Sequence, residues 1–364
     1  MAPHCRRGFR ARTLVVGPLL LVLLGAAPPA LADIGARPVA TGLAQPVGFT
    51  FGPGPTLWYV EKATGEVRVV DLRSGRDRLF SRVSRIDAAG ERGLLGVALH
   101  PRYPSRPFVY VYATRRSGGD LENQLLRIRE EDGVGVRRRV LLSSPVGSAT
   151  NHNGGRILFG PDGMLYVVIG DGAEPDRAQR LADLRGKVLR VRPDGAVPAT
   201  NPFDSPVWAF GLRNSFGFAF DPRTDRLWLT DNGPACNDEV NRIRAGRNYG
   251  WGPSATCEGP APRNTNRDGP RPVLPELYLP DAVGITGIAF CEGCGLGRRS
   301  EGRLFFSAVT DGLLRRVALG DRRTTVRSSR VVYRHDRGII SIEVGPRGRL
   351  YFSDMTGIYR LVRT

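Results

Sequence analysis

An all-β fold, a six-bladed β-propeller of four-stranded antiparallel blades, is expected from three observations. A short apolar strand, a Pro/Gly/Asp turn and a second apolar strand form a pattern that occurs six times. Its copies recur about every 45 to 70 residues, the spacing of blades in a ring. No segment carries a convincing long helical periodicity.

The first three copies are "VGFTFGPGPTLWYVEK" (47–62), "GVALHPRYPSRPFVYVYATR" (96–115) and "RILFGPDGMLYVVIGD" (156–171). The last three are "GFAFDPRTDRLWLTDN" (217–232), "GIAFCEGCGLGRRSEGRLFFSAVTD" (287–311) and "SIEVGPRGRLYFSDM" (341–355). Alternating apolar residues rich in Val and aromatics mark the strands, and Gly, Pro and Asp mark the hairpin turns. Room remains after most copies for two outer strands; "LLRIREED" and "RRRVLLSSP" read as those of the second blade.

Residues 1–32 read as a secretory signal peptide rather than fold: a basic start, the apolar run "LVVGPLLLVLLGAA" and the small-residue stretch "ALA" at 30–32. "RRGF" at Arg6–Phe9 hints at twin-arginine export, with general secretion the alternative. The propeller then occupies 33–364, with no further apolar stretch long enough to span a bilayer, and the expected location is secreted, periplasmic or cell-envelope. Cys236, Cys257, Cys291 and Cys294 remain, an even number suited to an oxidising compartment. The preferred pairing is Cys236–Cys257 with Cys291–Cys294, out of three possible; Cys291-x-x-Cys294 as half of a zinc site competes with it. The formal net charge of +18 loses four units with Arg6, Arg7, Arg10 and Arg12. The remaining arginines are scattered and no stacking aromatics interleave with them, so a solvated basic surface is expected and no nucleic-acid partner.

In a blade the first strand lies nearest the channel and the second runs antiparallel to it. Residues leading into strand one and residues leaving strand two therefore share one end. Glu91, His152, Arg213, Asn214 and Thr286 lead in; Glu61, Asp171, Asp231, Asn232, Asp311 and Asp354 leave. His152 and Asp171 should face each other across one hairpin, where a carboxylate fixes the imidazole tautomer and stabilises the imidazolium, as a general base requires. A satisfied structural histidine is the plainer alternative for such a pair, and it suits His100 and His335 better. Arg213 can stabilise negative charge on a carbonyl-like oxygen. Gly233 and Pro234 form a turn whose carbonyls, with nearby acids, suit a hard cation such as calcium.

"ERGLLGVALHPRY", "NHNGGRILFGPDGMLYVVIGDG", "GKVLRVRPDG", "NPF", "GLRNSFGFAFDP", "LWLTDNGPACNDEVNRIRAGRNYGWG" and "GPRGRLYFSD" occur in this order. Together they resemble the glucose/sorbosone dehydrogenase family, soluble exported quinoproteins that use pyrroloquinoline quinone (PQQ) and calcium to oxidise aldoses. The resemblance implies a catalytic group of His152, Asp171 and Arg213: His152 as the base that takes the sugar hydroxyl proton while hydride leaves the anomeric carbon, with Asp171 orienting it. It implies cofactor contacts from Glu91, Arg213, Asn214 and Asp354, and calcium on the carbonyls of Gly233 and Pro234. A lactone product and an external electron acceptor follow from the same resemblance. The chain departs from the pattern at Glu91, where many members carry glutamine. It also departs at Thr310 and near Gly338 and Ile340, where the family's lysine and two arginines hold the cofactor's carboxylates; Arg315, Arg316, Arg334 or Arg337 are the candidate substitutes. Two other readings stand beside oxidation: a propeller that binds a glycan or protein without turnover, and a calcium-dependent lactonase or esterase.

Overall fold

The computed structural model of the protein describes Met1, residues 34–259 and residues 265–364. The expected leader and its cleavage point lie outside the described residues, apart from Met1. Residues Ala32–Thr364 form one compact unit.

The N-terminal strand β1 (Ile34–Thr41) is followed by blade one: β2 (Gly48–Phe51), β3 (Thr56–Val60), β4 (Glu66–Asp71) and β5 (Asp77–Arg82). Blade two is β6 (Leu94–Leu99), β7 (Phe108–Ser117), β8 (Asp120–Glu131) and β9 (Val134–Pro145). Blade three is β10 (Ile157–Phe159), β11 (Leu165–Ile169), β12 (Lys187–Val191) and β13 (Val207–Phe210). Blade four is β14 (Ser215–Phe220), β15 (Leu227–Asp231), β16 (Cys236–Ile243) and β17 (Leu277–Asp281). Blade five is β18 (Ile285–Cys291), β19 (Arg303–Ala308), β20 (Leu313–Leu319) and β21 (Val326–Arg334). Blade six is β22 (Ser341–Val344), β23 (Leu350–Ser353) and β24 (Gly357–Arg363), completed by β1. Two short 3₁₀ turns, Pro175–Gln179 and Pro346–Gly348, are the helical segments among the described residues, and none of those residues belongs to a helix long and apolar enough to cross a membrane.

Each sheet is antiparallel and runs inner to outer in chain order, except the sixth, whose outer edge is the N-terminal strand. β1 pairs with β24 from Ile34↔Arg363 to Thr41↔Gly357, and β22 packs on β2, so the ring closes between blades six and one. Radial repetition of this kind leaves short, protected strand edges beside the channel.

The middle strands do not alternate as a one-sided sheet would. β7 buries "VYVYA" without interruption, and every residue of β11 "LYVVI" is buried. Each blade is covered on both faces by its neighbours, so both sets of side chains enter the inter-blade core. The outer strands β5, β9 and β21 reach solvent and carry the arginines. The glycines that open the repeats have a spatial cause. A Cβ on Gly96 would lie 2.1 Å from the Gly155 carbonyl oxygen, and one on Gly217 would lie 2.1 Å from that of Thr286. Inner strands of adjacent blades meet backbone to backbone there.

Both expected disulfides form, Cys236–Cys257 and Cys291–Cys294. The second uses both thiols of the Cys-x-x-Cys pair, which removes the zinc reading. Cys236–Cys257 ties the start of β16 to the long loop between β16 and β17, within blade four.

Candidate active site

A cavity of about 420 Å3 opens at the end of the channel where the inner strands begin. All six blades contribute to it, through Lys62, Glu91, His152, Arg213, Thr286 and Ile340 among others. Strand polarity alone brings them together, because the lead into each inner strand faces the same mouth.

His152 sits just before blade three with φ at 60°, a left-handed conformation uncommon outside glycine and held here by its surroundings. The constraint is Glu91, whose Oε2 accepts the His152 backbone N–H at 2.7 Å. The ring Nδ1 lies 2.7 Å from Asp171 Oδ1, with both side chains buried. The Nδ1–H tautomer follows, because an ionised carboxylate can only accept. Nε2 has no hydrogen-bond partner among the described residues and is the nitrogen left for the cavity. Asp171 is itself fixed: Oδ1 accepts the Ala173 N–H at 2.8 Å and Oδ2 accepts the Trp251 indole N–H at 2.7 Å.

Arg213 and Asn214 are held by Asp231 at the end of β15. Its oxygens accept the Arg213 N–H at 3.0 Å, the Asn214 N–H at 2.8 Å and the Ser215 hydroxyl at 3.0 Å. Complete burial nevertheless pushes the Asp231 carboxyl up to about 6. Burial also lowers the Arg213 guanidinium from its ordinary value, opposed by Asp171, Asp231 and Glu91. The Arg213 side chain lies over the Trp251 ring at 5.2 Å and donates to the Asn232 carbonyl at 3.2 Å. The Asp171 N–H donates to the Arg213 carbonyl at 2.7 Å, joining the histidine's carboxylate to the arginine's backbone.

Glu91 also accepts the Asn214 side-chain N–H at 3.1 Å. Asn214 must therefore turn its amide nitrogen to Glu91, and its Oδ1 is buried and unpaired at the cavity wall. A carboxylate at position 91 thus makes Asn214 present an acceptor.

Gly233 and Pro234 also line the cavity, and neither carbonyl is taken by a described hydrogen-bond donor. Beside them Asp238 Oδ1 accepts the Gly233 N–H at 3.0 Å, while Oδ2 accepts Val283 and Ile285 at 2.9 and 3.1 Å. Further along β16, buried Glu239 takes the side-chain amides of Asn241 and Asn266 on one oxygen and leaves Oε1 unpaired. Asn241 Oδ1 and Thr265 Oγ1 are also buried and unpaired. The orphaned Glu239 Oε1 and Asn241 Oδ1, on side chains joined by a hydrogen bond, suit a hard cation, which would hold ionised a carboxyl that burial pushes up to about 8. Among the described residues no three His, Cys, Asp or Glu cluster at a metal-binding distance, so any cation here rests on amide, hydroxyl and carbonyl oxygens as well.

Asp354 is placed apart from this group. Its oxygens are taken by the N–H groups of Thr356 and Gly357, both at 2.7 Å, and by His335 Nε2 at 3.0 Å. Its neighbour Met355 lines the cavity instead. His335 is packed against Phe352 and Tyr359, and His100 Nδ1 accepts the Arg102 N–H at 3.1 Å within its turn. The wall where the family pattern carries its lysine and two arginines is here Val309, Thr310 and Ile340. Gly338 packs its backbone against the Val309 carbonyl. Arg315 pairs with Asp311 at 2.7 Å, Arg334 donates to the Asp311 carbonyl at 3.1 Å, and Arg337 turns to Thr356. Arg316 donates to Ser300 at 3.2 Å, away from the channel. Lys62 and Arg213 are the cations lining the cavity, and Lys62 donates to the Ala88 carbonyl at 2.8 Å.

Trp251, Lys62 and Asp238 were not reached by sequence reasoning. Trp251 lies in the loop after β16, 80 residues from the carboxylate it holds, and no repeat position marks it. Its signal is scarcity, one of four tryptophans, in the "NYGWG" string.

Residues 43–362 match the family described as Glucose / Sorbosone dehydrogenase. The chain is 28% identical over 361 residues to the aldose sugar dehydrogenase YliI of Escherichia coli K12, covering 91% of this chain and 93% of that one. It is 32% identical over 245 residues to quinoprotein glucose dehydrogenase B of Acinetobacter calcoaceticus, where the match takes in 58% of this chain and about half, 51%, of the relative. The solved PQQ-bound form of an aldose sugar dehydrogenase from Streptomyces coelicolor superposes with a TM-score of 0.78 at 30% identity, over 92% of this chain and 99% of that one. With the six-bladed ring and a buried histidine–aspartate pair at its mouth, these matches make the chain a member of the glucose/sorbosone dehydrogenase family.

Proposed function

We propose that the protein is an exported quinoprotein that oxidises the anomeric carbon of an aldose to the lactone. The observation that carries this reading is His152, held by Asp171 and Glu91, sharing one cavity with Arg213 and Asn214. Nε2 takes the proton of the sugar hydroxyl. The Nδ1–H bond to Asp171 stabilises the resulting imidazolium. The hydrogen on the anomeric carbon leaves with its electron pair as the C=O forms, and the Arg213 guanidinium stabilises negative charge that builds up on the accepting side.

PQQ, when bound, supplies a two-electron acceptor for that hydride, and an external acceptor then reoxidises it. At the reacting end Arg213 offers guanidinium N–H groups to quinone oxygens and the carbonyls of Gly233 and Pro234 suit calcium as a Lewis acid, whereas Asn214, its amide nitrogen turned to Glu91, presents an acceptor that suits a sugar hydroxyl instead. The opposite wall is different. Val309, Thr310, Ile340 and Met355 stand where a tricarboxylate calls for cations, leaving Lys62 as the remaining positive charge there. Each missing charge-assisted contact costs about 1.5–3 kcal/mol, so PQQ is expected to dissociate readily and to be lost on purification. The same aliphatic wall favours, as second reading, a site that binds sugar without turnover.

Reconstitution separates the two. The protein is loaded with PQQ and calcium, and dye reduction is followed with a panel of aldoses. Saturable reduction that vanishes on chelation and returns with calcium supports oxidation. PQQ binding with no reduction by any aldose contradicts it and leaves the binding reading. Export is supported by the two disulfides.

A further inference from the structure

The face away from the active cavity carries a second concave site. A cleft of about 750 Å3 lies at the seam of blades six and one. It is built from the turns β2–β3, β4–β5 and β22–β23, from Gly295 between β18 and β19, and from the paired strands β1 and β24. The β2–β3 and β22–β23 turns follow inner strands, and the β4–β5 turn follows a third strand that runs the same way, so all three occupy the end of the ring opposite to His152. Six arginines line the cleft: Arg37, Arg73, Arg347, Arg349, Arg360 and Arg363. No acid lines it.

The arrangement runs against ordinary surface design. Arg37 and Arg360 stand directly opposite each other in the β1–β24 ladder, a position where like charges repel. Arg347 holds φ at 61° in its turn, a left-handed conformation that disfavours a long side chain. Arg349 donates to the Cys294 carbonyl at 3.0 Å, and Gly295 leaves its guanidinium room, since a Cβ there would lie 1.3 Å from Nη1. The Cys291–Cys294 disulfide loop thereby fixes one arginine on the cleft wall. None of the other five has a carboxylate partner among the described ion pairs. Guanidinium forks converging on a concave space match the oxygens of phosphate groups.

We infer that this cleft binds a phosphate-bearing anion of several charges, either a free oligophosphate or the headgroups of an anionic phospholipid surface. The site is independent of sugar oxidation and lies on the other face of the ring.

The test uses the full chain. Inorganic triphosphate is titrated by calorimetry, and co-sedimentation is measured with phosphatidylglycerol and phosphatidylcholine vesicles. The expected result is saturable binding of triphosphate, or of phosphatidylglycerol vesicles alone, weakened at least about tenfold in Arg37→Gln/Arg360→Gln. The charge-matched Arg137→Gln/Arg139→Gln, on the exposed edge strand β9, should stay within about twofold of the parent, because screened distant charge contributes little. Binding of triphosphate assigns a free ligand; binding of vesicles alone assigns the headgroup. Thermal unfolding confirms that the first variant folds. If it does not, Arg73→Gln/Arg347→Gln, both in turns, carries the same comparison. Absence of binding in both arms, or equal weakening in the cleft and control variants, overturns the proposal.

Discussion

At the scale of single residues, the candidate site is a chain of hydrogen bonds ending on one nitrogen. Trp251 fixes Asp171, Asp171 fixes His152, and Glu91 fixes both His152 and Asn214. Removing the indole N–H in Trp251→Phe leaves an aromatic ring under Arg213 but frees one Asp171 oxygen. A bond to a charged acceptor contributes about 1.5–3 kcal/mol, and only part of it acts through the histidine. Sugar turnover should fall about tenfold. Turnover equal to that of the parent would reduce Trp251 to packing. His152, Asp171, Arg213 and Asn214 were legible in sequence because each sits at a fixed place in a repeat, leading into strand one or leaving strand two. Trp251 was not, since an indole reaching across from an irregular loop has no such place. Asp354 satisfied the positional rule, but its own turn and His335 take its oxygens, so position names the mouth and not the side chain's direction.

Elements repeat more faithfully than residues. Every quoted repeat became the inner two strands of a blade, because alternating the turn chemistry with short apolar runs leaves a chain little else to do. What sequence left out was the outer edge of blade six. β1 pairs with β24 across nearly the whole chain, and "IGARPVAT" carries a mixed, half-exposed pattern that resembles no inner strand. The repeated glycine at the start of inner strands was visible as pattern, while its cause needed coordinates. Gly217→Ala would drive a methyl group to 2.1 Å from the Thr286 carbonyl oxygen. Backbone rather than a mobile side chain must yield, so a destabilisation of about 1–3 kcal/mol is expected in chemical denaturation. A variant as stable as the parent would show that blades four and five can separate at no penalty.

For the whole molecule, two features join parts of the ring that are distant in sequence. One is the shared blade of β1 and β24. The other is Arg156, which leads into blade three and reaches Glu343 of blade six across the channel. Burial pushes the Glu343 carboxyl from 4.5 up to about 7 even with Arg156 against it. A carboxyl raised by folding adds stability in its protonated form, fully present below about pH 4.5 and lost as pH rises through about 7. Glu343→Gln, which stays neutral, should therefore gain in Tm relative to the parent as pH climbs from about 5 to 7.5. A Tm difference that is flat across that window would mean that Arg156 keeps the carboxylate ionised throughout.

The most direct measurement compares His152→Ala with the parent, both loaded with PQQ and calcium, for cofactor binding and for aldose oxidation. His152 enters as a proton acceptor whose backbone, not its ring, is bound by Glu91. Cofactor affinity should change by no more than about threefold, while oxidation falls by about 10²–10⁴, the usual contribution of a general base. Oxidation that persists within tenfold of the parent while PQQ remains bound would contradict a base at position 152.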